Sequence, residues 1–369
     1  MASSNPSREV RVKLPGGGYP VWIGEGLLED ALRLSGTVRG AQILIVTNTT
    51  VAPLYLEPVR GTFSDRQCDV VVLEDGEQFK NRNSLAKVHD ALAAGRHHRD
   101  TTVVALGGGV VGDIAGFAAS TWLRGVAVVQ IPTTLLAQVD ASIGGKTAIN
   151  HAGGKNLLGT FHQPAAVICD VATLKTLSTR EFRAGLAEVV KYALLTGGQM
   201  LDRLSGCTVS ELMADPKRLS ELVAECCSIK AGIVERDATE QGERALLNLG
   251  HTIGHALEAC TGYTRYLHGE AVATGLYCAA LLSEREGLLA PSEVLRVERL
   301  LSQFGLPSRI PADIAHDALM NQLYQDKKII NNCLRFVLMH HPGNCFVSAD
   351  ISEKALRAVL AAATEGENS

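Results

Sequence analysis

Between residues 244 and 268 the chain gathers a guanidinium, an amide and three imidazoles: Arg244, Asn248, His251, His255 and His268. On a helix, Arg244, Asn248, His251 and His255 recur at steps of four, three and four, so at about 100° per residue they share one stripe. Leu246, Leu249, Ile253, Ala256 and Leu257 cover much of the remaining circumference. A polar stripe on an apolar helix must meet water, a ligand or a buried polar network, because an unpaired buried polar group costs roughly 1–3 kcal/mol. A cation, an amide and imidazoles suit an anionic ligand and a metal ion. The pair His251 and His255 has zincin spacing, but Thr252 stands where that motif has its glutamate, which excludes a metalloprotease. A helical segment at 181–196 supplies an acid: Glu188 and Lys191 lie three apart on one face, among Leu186, Val189, Val190, Ala193, Leu194 and Leu195. A carboxylate so surrounded needs a cation or a metal. Glu188 with His251 and His268 makes a two-imidazole, one-carboxylate set, and three protein ligands leave a zinc position open for substrate. His251 with His255, one turn apart, is the rival chelate.

A second chemistry lies at 107–113. Gly107, Gly109 and Gly112 satisfy G-x-G-x-x-G after a strand and before a helix, where backbone amides can cradle a pyrophosphate. The match departs from the dinucleotide fingerprint, because the loop follows a third or fourth strand and Gln130, Ile131 and Pro132 stand where the ribose-binding acid belongs. The ribose must be held from elsewhere, and Glu77 with Lys80 is the candidate pair. In 138–156, Asp140, Lys146, Lys155 and Asn156 sit in a polar loop among glycines and serines. Each of the two lysines follows two glycines, which suits phosphate or carboxylate contacts made close to the backbone. Residues 144–147 resemble the end of a Walker A loop, but the glycine four residues earlier is missing, so the segment does not read as an NTPase.

These groups need scaffolds of two kinds. A hairpin at 10–14 and 19–23, then apolar β-branched runs at 42–47, 69–73, 101–106 and 126–131, alternate with helices at 83–95 and 114–121. That pattern predicts a doubly wound, Rossmann-like α/β domain over residues 1–177. From 178 to 369 helical periodicity dominates, as at 244–260 and 314–328, with 335–339 the one clear strand, so a mainly α-helical metal- and substrate-binding domain follows. The ligand cleft is expected between the two. A net charge of −4 and a pI near 6.3 offer no nucleic-acid or membrane surface. The longest apolar runs, such as 271–282, are too short to span a bilayer. Nine cysteines without a Cys-x-x-Cys argue against a disulfide framework or a thiolate zinc site. With no apolar signal-peptide core in the first eight residues, the expected location is cytoplasmic.

Taken in order, the segments at 107–113, 132–147, 185–191, 248–258 and 267–270 resemble those of the 3-dehydroquinate synthase family of sugar phosphate cyclases, from about residue 10 to 347. The resemblance implies an α/β NAD-binding domain followed by an all-helical one, in a homodimer that needs NAD and zinc, with cobalt as an alternative metal. It implies a phosphate-eliminating lyase that converts 3-deoxy-D-arabino-heptulosonate 7-phosphate to 3-dehydroquinate by transient oxidation, β-elimination, reduction and intramolecular aldol closure. On this resemblance Glu188, His251 and His268 hold the metal. Glu77, Lys80, Gly108, Gly109, Asp113, Thr133, Thr134, Asp140 and Lys146 hold NAD. Lys230 and Arg244 meet the substrate carboxylate or hydroxyls, and Lys146, Asn156, Asn248, His255 and Lys328 surround the phosphate. Lys155 and Lys191 complete the polar wall, Lys327 is not separable from Lys328, and Arg124 reaches the site of the partner subunit. A metal-dependent polyol or alcohol dehydrogenase of the same fold is the alternative, and the lysines and arginine argue against a neutral polyol. A related cyclase whose substrate lacks a carboxylate would not need Lys230 and Arg244. A non-catalytic NAD-binding module would be expected to have lost site charges.

Overall fold

The β-branched runs of the first half form one seven-stranded sheet. Its strands are β1 (Arg8–Val12), β2 (Tyr19–Gly24), β3 (Gln42–Asn48), β4 (Gln67–Leu73), β5 (Thr102–Gly107), β6 (Ala127–Pro132) and β9 (Ala166–Asp170), while β7 (Lys146–His151) and β8 (Gly154–Phe161) pair apart from it. The sheet order is β1-β2-β9-β6-β5-β3-β4, parallel throughout except for the opening β1–β2 hairpin. This computed structural model describes residues 7–325 and 334–365. The chain divides into two units, Met1–Ser178 with Leu212–Thr239 and Thr179–Glu211 with Glu240–Ser369.

Every residue of β3 and β5 is buried, as a parallel strand covered on both faces requires. Side chains alternate between the two faces. Leu44, Val46, Val103 and Ala105 enter one core, and Ile43, Ile45, Val104 and Leu106 enter the other. The intervening helices are α1 (Ala31–Thr37), α2 (Ala52–Gly61), α3 (Arg82–Ala94) and α4 (Gly109–Thr121). Among the parallel strands β3, β4, β5, β6 and β9 the spatial order reverses between β3 and β5. An open α/β sheet binds its ligand at such a switch point, outside the carboxyl ends of the strands. The glycine loop follows β5, one of the two flanking strands. A loop after the third parallel strand is therefore well placed in this topology.

Three elements of this unit differ from the sequence reading. Residues 138–156, expected as a polar loop, run from a π-helical turn at Ala137–Ala141 into the separate hairpin of β7 and β8. The hairpin packs on α4 so closely that a Cβ at Gly116 would stand 2.4 Å from Thr147 Cγ2. The return strand β9 was not anticipated. After α5 (Thr179–Thr196), α6 (Gly198–Ser205) and α7 (Val209–Ala214), α8 (Pro216–Arg236) packs on β1 and β2 and belongs to the first unit. A single boundary at 177 omits this return.

The second unit is helical around α10 (His268–Arg285), which packs on α5, α9 (His251–Cys260), α11 (Pro291–Gln303), α13 (Glu353–Ala363) and β10 (Phe336–His341). Strand β10 pairs with β11 (Asn344–Ser348), so the expected strand is half of a hairpin. Before α13 comes α12 (His316–Gln325). Lys327 and Lys328 lie outside the described residues. No helix among the described residues is long and apolar enough to cross a membrane.

The continuous helix expected over 244–260 is broken. Residues Glu243–Asn248 form a 3-10 turn, Leu249 is extended, and Gly250 takes φ +79° before α9 begins at His251. Packing enforces the break. A Cβ at Gly250 would come within 2.8 Å of the Leu276 amide, and one at Gly275 within 1.9 Å of the Gly250 carbonyl oxygen. The chain turns where α10 leaves room only for glycine.

Candidate active site

In the second unit, three helices bring their polar residues to one point. Helix α5 is buried from Ala184 through Leu194, and within it Glu188 and Lys191 are each 1% exposed. Lys191 Nζ pairs with Glu188 Oε2. The other oxygen, Glu188 Oε1, is buried and accepts no hydrogen bond from the described residues. It stands 3.5 Å from His251 Nε2 and 3.8 Å from His268 Nε2. His251 is the first residue of α9 and His268 the first of α10, so two helix N-termini aim their imidazoles at one carboxylate. His255, one turn along α9, completes a group with His251 and His268 whose ligand atoms all lie within 4.8 Å of one another.

The geometry suits a divalent cation. Ligand atoms about 2.0–2.2 Å from a tetrahedral zinc are separated by about 3.4 Å, close to both Oε1–Nε2 distances. A buried carboxylate oxygen without a donor is costly, and a cation relieves that cost. Both rings are turned correctly. His251 Nδ1 lies 3.1 Å from the Leu249 carbonyl oxygen, and His268 Nδ1 lies 3.1 Å from Glu258 Oε2. In the neutral ring each Nδ1 donates its hydrogen to that oxygen, which leaves the lone pair on Nε2.

Close packing holds these helices in register. At the crossing of α5 and α10, a Cβ on Gly269 would fall 1.8 Å from the Ala184 carbonyl oxygen, one turn before Glu188. Arg180 on α5 donates to both carboxylate oxygens of Glu270 on α10, at 2.7 and 2.8 Å, and to the Arg265 carbonyl oxygen at 2.9 Å. Arg244 is 1% exposed on the 3-10 turn, and Asn248 donates its amide to Glu240 Oε1 at 2.8 Å.

The first unit carries its own cluster. Lys80, 4% exposed, donates to Asp113 on α4 and to Asn156 Oδ1 on β8 at 2.6 Å. Burial pushes the Asp113 carboxyl above its ordinary range, and Lys80 pulls it partly back. Glu77 accepts from Asn150 Nδ2 at 2.9 Å, with Lys155 Nζ at 3.6 Å. Asn150 also accepts from the Asn156 amide and donates its own amide to the Lys80 carbonyl oxygen. Asn156 takes φ +54°, a conformation uncommon outside glycine. Gly108 caps α4 and Gly109 opens it, where first-turn amides have no partner inside the helix. Thr133 and Thr134 follow β6, and Thr134 Cγ2 faces the position of a Gly108 Cβ.

Lys230 on α8 donates to Asp140 twice, to Oδ1 at 2.8 Å and to the backbone oxygen at 2.7 Å. Lys146 is exposed at the start of β7. Arg124 is exposed on a turn where it and Leu123 both take positive φ, +68° and +45°.

Sequence reading missed Asn150, Glu258 and the pair Asn48–Asp75. At the carboxyl end of β3, Asn48 donates to Asp75 Oδ1 at 2.7 Å. Glu258 had a visible signal, because it extends the stripe of His251 and His255 by a further step of three.

Residues 70–184 match the model of the 3-dehydroquinate synthase N-terminal region, and residues 185–329 match that of its C-terminal region. A 3-dehydroquinate synthase of Legionella pneumophila is 53% identical over 367 residues, covering 100% of both chains. The solved structure of 2-deoxy-scyllo-inosose synthase complexed with carbaglucose-6-phosphate, NAD+ and Co2+ superposes with a TM-score of 0.88 at 25% identity, over 96% of this chain and 99% of that one. ValA, a 2-epi-5-epi-valiolone synthase from Streptomyces hygroscopicus subsp. jinggangensis 5008 with NAD+ and Zn2+ bound, superposes at 0.86 with 29% identity, over 93% and 96%.

Proposed function

Because the chain belongs to the 3-dehydroquinate synthase family, we propose that its two polar clusters divide that family's reaction between a nucleotide and a metal. The enzyme is a phosphate-eliminating lyase that converts 3-deoxy-D-arabino-heptulosonate 7-phosphate to 3-dehydroquinate and phosphate. When bound, NAD would supply a hydride acceptor and donor, and zinc, or cobalt in its place, would supply a Lewis acid for the hydroxyl to be oxidised. The observation that carries the metal assignment is Glu188 Oε1, buried, without a donor among the described residues and at zinc-ligand spacing from His251 Nε2 and His268 Nε2. These three residues hold the metal. His255, beside them, is left to donate to the departing phosphate. Lys191 neutralises the second oxygen of Glu188 and sets its orientation.

In the first unit, the amides of α4 at Gly108 and Gly109 receive the pyrophosphate at the sheet's switch point. Glu77, Lys80, Asp113, Thr133, Thr134 and Asp140 complete the nucleotide site. The Lys80–Asp113–Asn156 network fixes Asn156, which with Lys146, Lys155 and Lys230 gives the first unit cationic and amide groups suited to an anionic sugar phosphate; in the second unit Arg244 and Asn248 are groups of the same kind. Arg124, presented on a strained turn, reaches the site of the second copy in a homodimer. Strain of this kind costs on the order of 1–3 kcal/mol and persists where it serves a function.

A full-length relative at 53% identity favours the lyase over a polyol dehydrogenase and over the more distant cyclases. Incubating the protein with the heptulosonate phosphate, catalytic NAD and zinc should release phosphate with no accumulation of NADH. Stoichiometric NADH would contradict the lyase assignment.

A further inference from the structure

We infer that Glu258 is a positioning residue for the metal, acting through the tautomer of His268. The inference rests on the assignment of His268 as a ligand. Glu258 lies on α9, seven residues after His251, and is 3% exposed. Its Oε2 is 3.1 Å from His268 Nδ1 across the turn that joins α9 to α10. An ionised carboxylate only accepts hydrogen bonds. The hydrogen on the neutral ring must then sit on Nδ1, and the lone pair on Nε2, the atom that faces Glu188 Oε1.

His251 receives the same instruction from a different source, the backbone carbonyl of Leu249. That partner is fixed by the kink at Gly250 and survives any side-chain substitution. The tautomer of His268 depends on one side chain. Glu258 also anchors the turn, since its carbonyl oxygen accepts from the Tyr263 amide at 2.8 Å. That bond belongs to the backbone and remains when the carboxylate is changed, so the two roles separate. Outer partners of metal-bound histidines raise the basicity of the ligand as well as turning it.

The test compares Glu258→Ala and Glu258→Gln with the parent protein, using metal-free full-length chain. Zinc affinity is measured by competition with a chromophoric chelator, and the His268 tautomer by 15N shifts of labelled histidine at a pH where the ring is neutral. Subtracting the spectrum of His268→Ala assigns the signal. Glu258→Ala should weaken zinc binding by about 10–100-fold and lose the Nδ1–H preference. Glu258→Gln, whose amide can accept or donate, should fall between and show a mixed tautomer. If Glu258→Ala does not fold, Glu258→Gln supplies both readouts. Parent-like zinc affinity, or weakened affinity with the tautomer unchanged, overturns the inference. Should His268→Ala itself keep its zinc, the ligand assignment fails instead, which separates the two.

Discussion

The two polar clusters are built on opposite plans. In the first unit the charged groups satisfy one another: Lys80 holds Asp113 and Asn156, Glu77 holds Asn150, and Lys230 holds Asp140. Under the proposed assignment, a nucleotide there would meet side chains already in place and gain its phosphate contacts from backbone amides. In the second unit the imidazoles use Nδ1 on the protein and converge through Nε2 on a carboxylate oxygen that accepts no hydrogen bond from the described residues. A divalent cation completes that set. The first cluster is organised by hydrogen bonds before its ligand arrives, whereas the second is held by helix packing. Damage to the first should therefore be graded, and damage to the second abrupt.

The largest effect is expected at the helix crossing. Gly269→Ala places a methyl group against the Ala184 carbonyl oxygen, forcing α5 and α10 apart and carrying His268 away from Glu188. Overpacking of this kind costs on the order of 1–3 kcal/mol. Thermal unfolding should register that loss, and elemental analysis should find the variant depleted of zinc. Full metal occupancy at parental stability would show that packing does not set the metal geometry. A smaller and more selective effect is expected at Asn150→Ala. It removes the side-chain hydrogen bonds that join Glu77 and Asn156, each worth about 0.5–1.5 kcal/mol. NAD binding measured by calorimetry should weaken by roughly tenfold, with zinc content unchanged. Loss of zinc in this variant would break the division between the clusters.

Much of this was legible in the residues. The buried parallel strands showed as apolar β-branched runs, and the glycine loop showed by its position between a strand and a helix. The β7–β8 hairpin was not legible, because its glycines and polar residues carry no alternating pattern, and it is defined by packing of Thr147 against Gly116. The helix break at Gly250 was hidden for a related reason. A single glycine in a helical period is weak punctuation, and the residue that forbids a side chain there, Leu276, lies far along the chain. The stripe was nevertheless a useful signal, since His251, His255 and Glu258 do share one continuous helix. What periodicity could not give was the direction of each imidazole, which depends on the Leu249 carbonyl and the Glu258 carboxylate.

The central claim is that Glu188, His251 and His268 hold the metal while His255 stands beside it. Zinc content of purified His268→Ala and His255→Ala, measured by elemental analysis, tests it most directly. Loss of one of three protein ligands should remove most of the zinc. The account predicts that His268→Ala is largely metal-free. His255→Ala should retain zinc and lose turnover, on the order of 10²–10⁴-fold for a group that transfers a proton. A zinc-free His255→Ala beside a zinc-replete His268→Ala would contradict the account and make the His251–His255 pair the chelate.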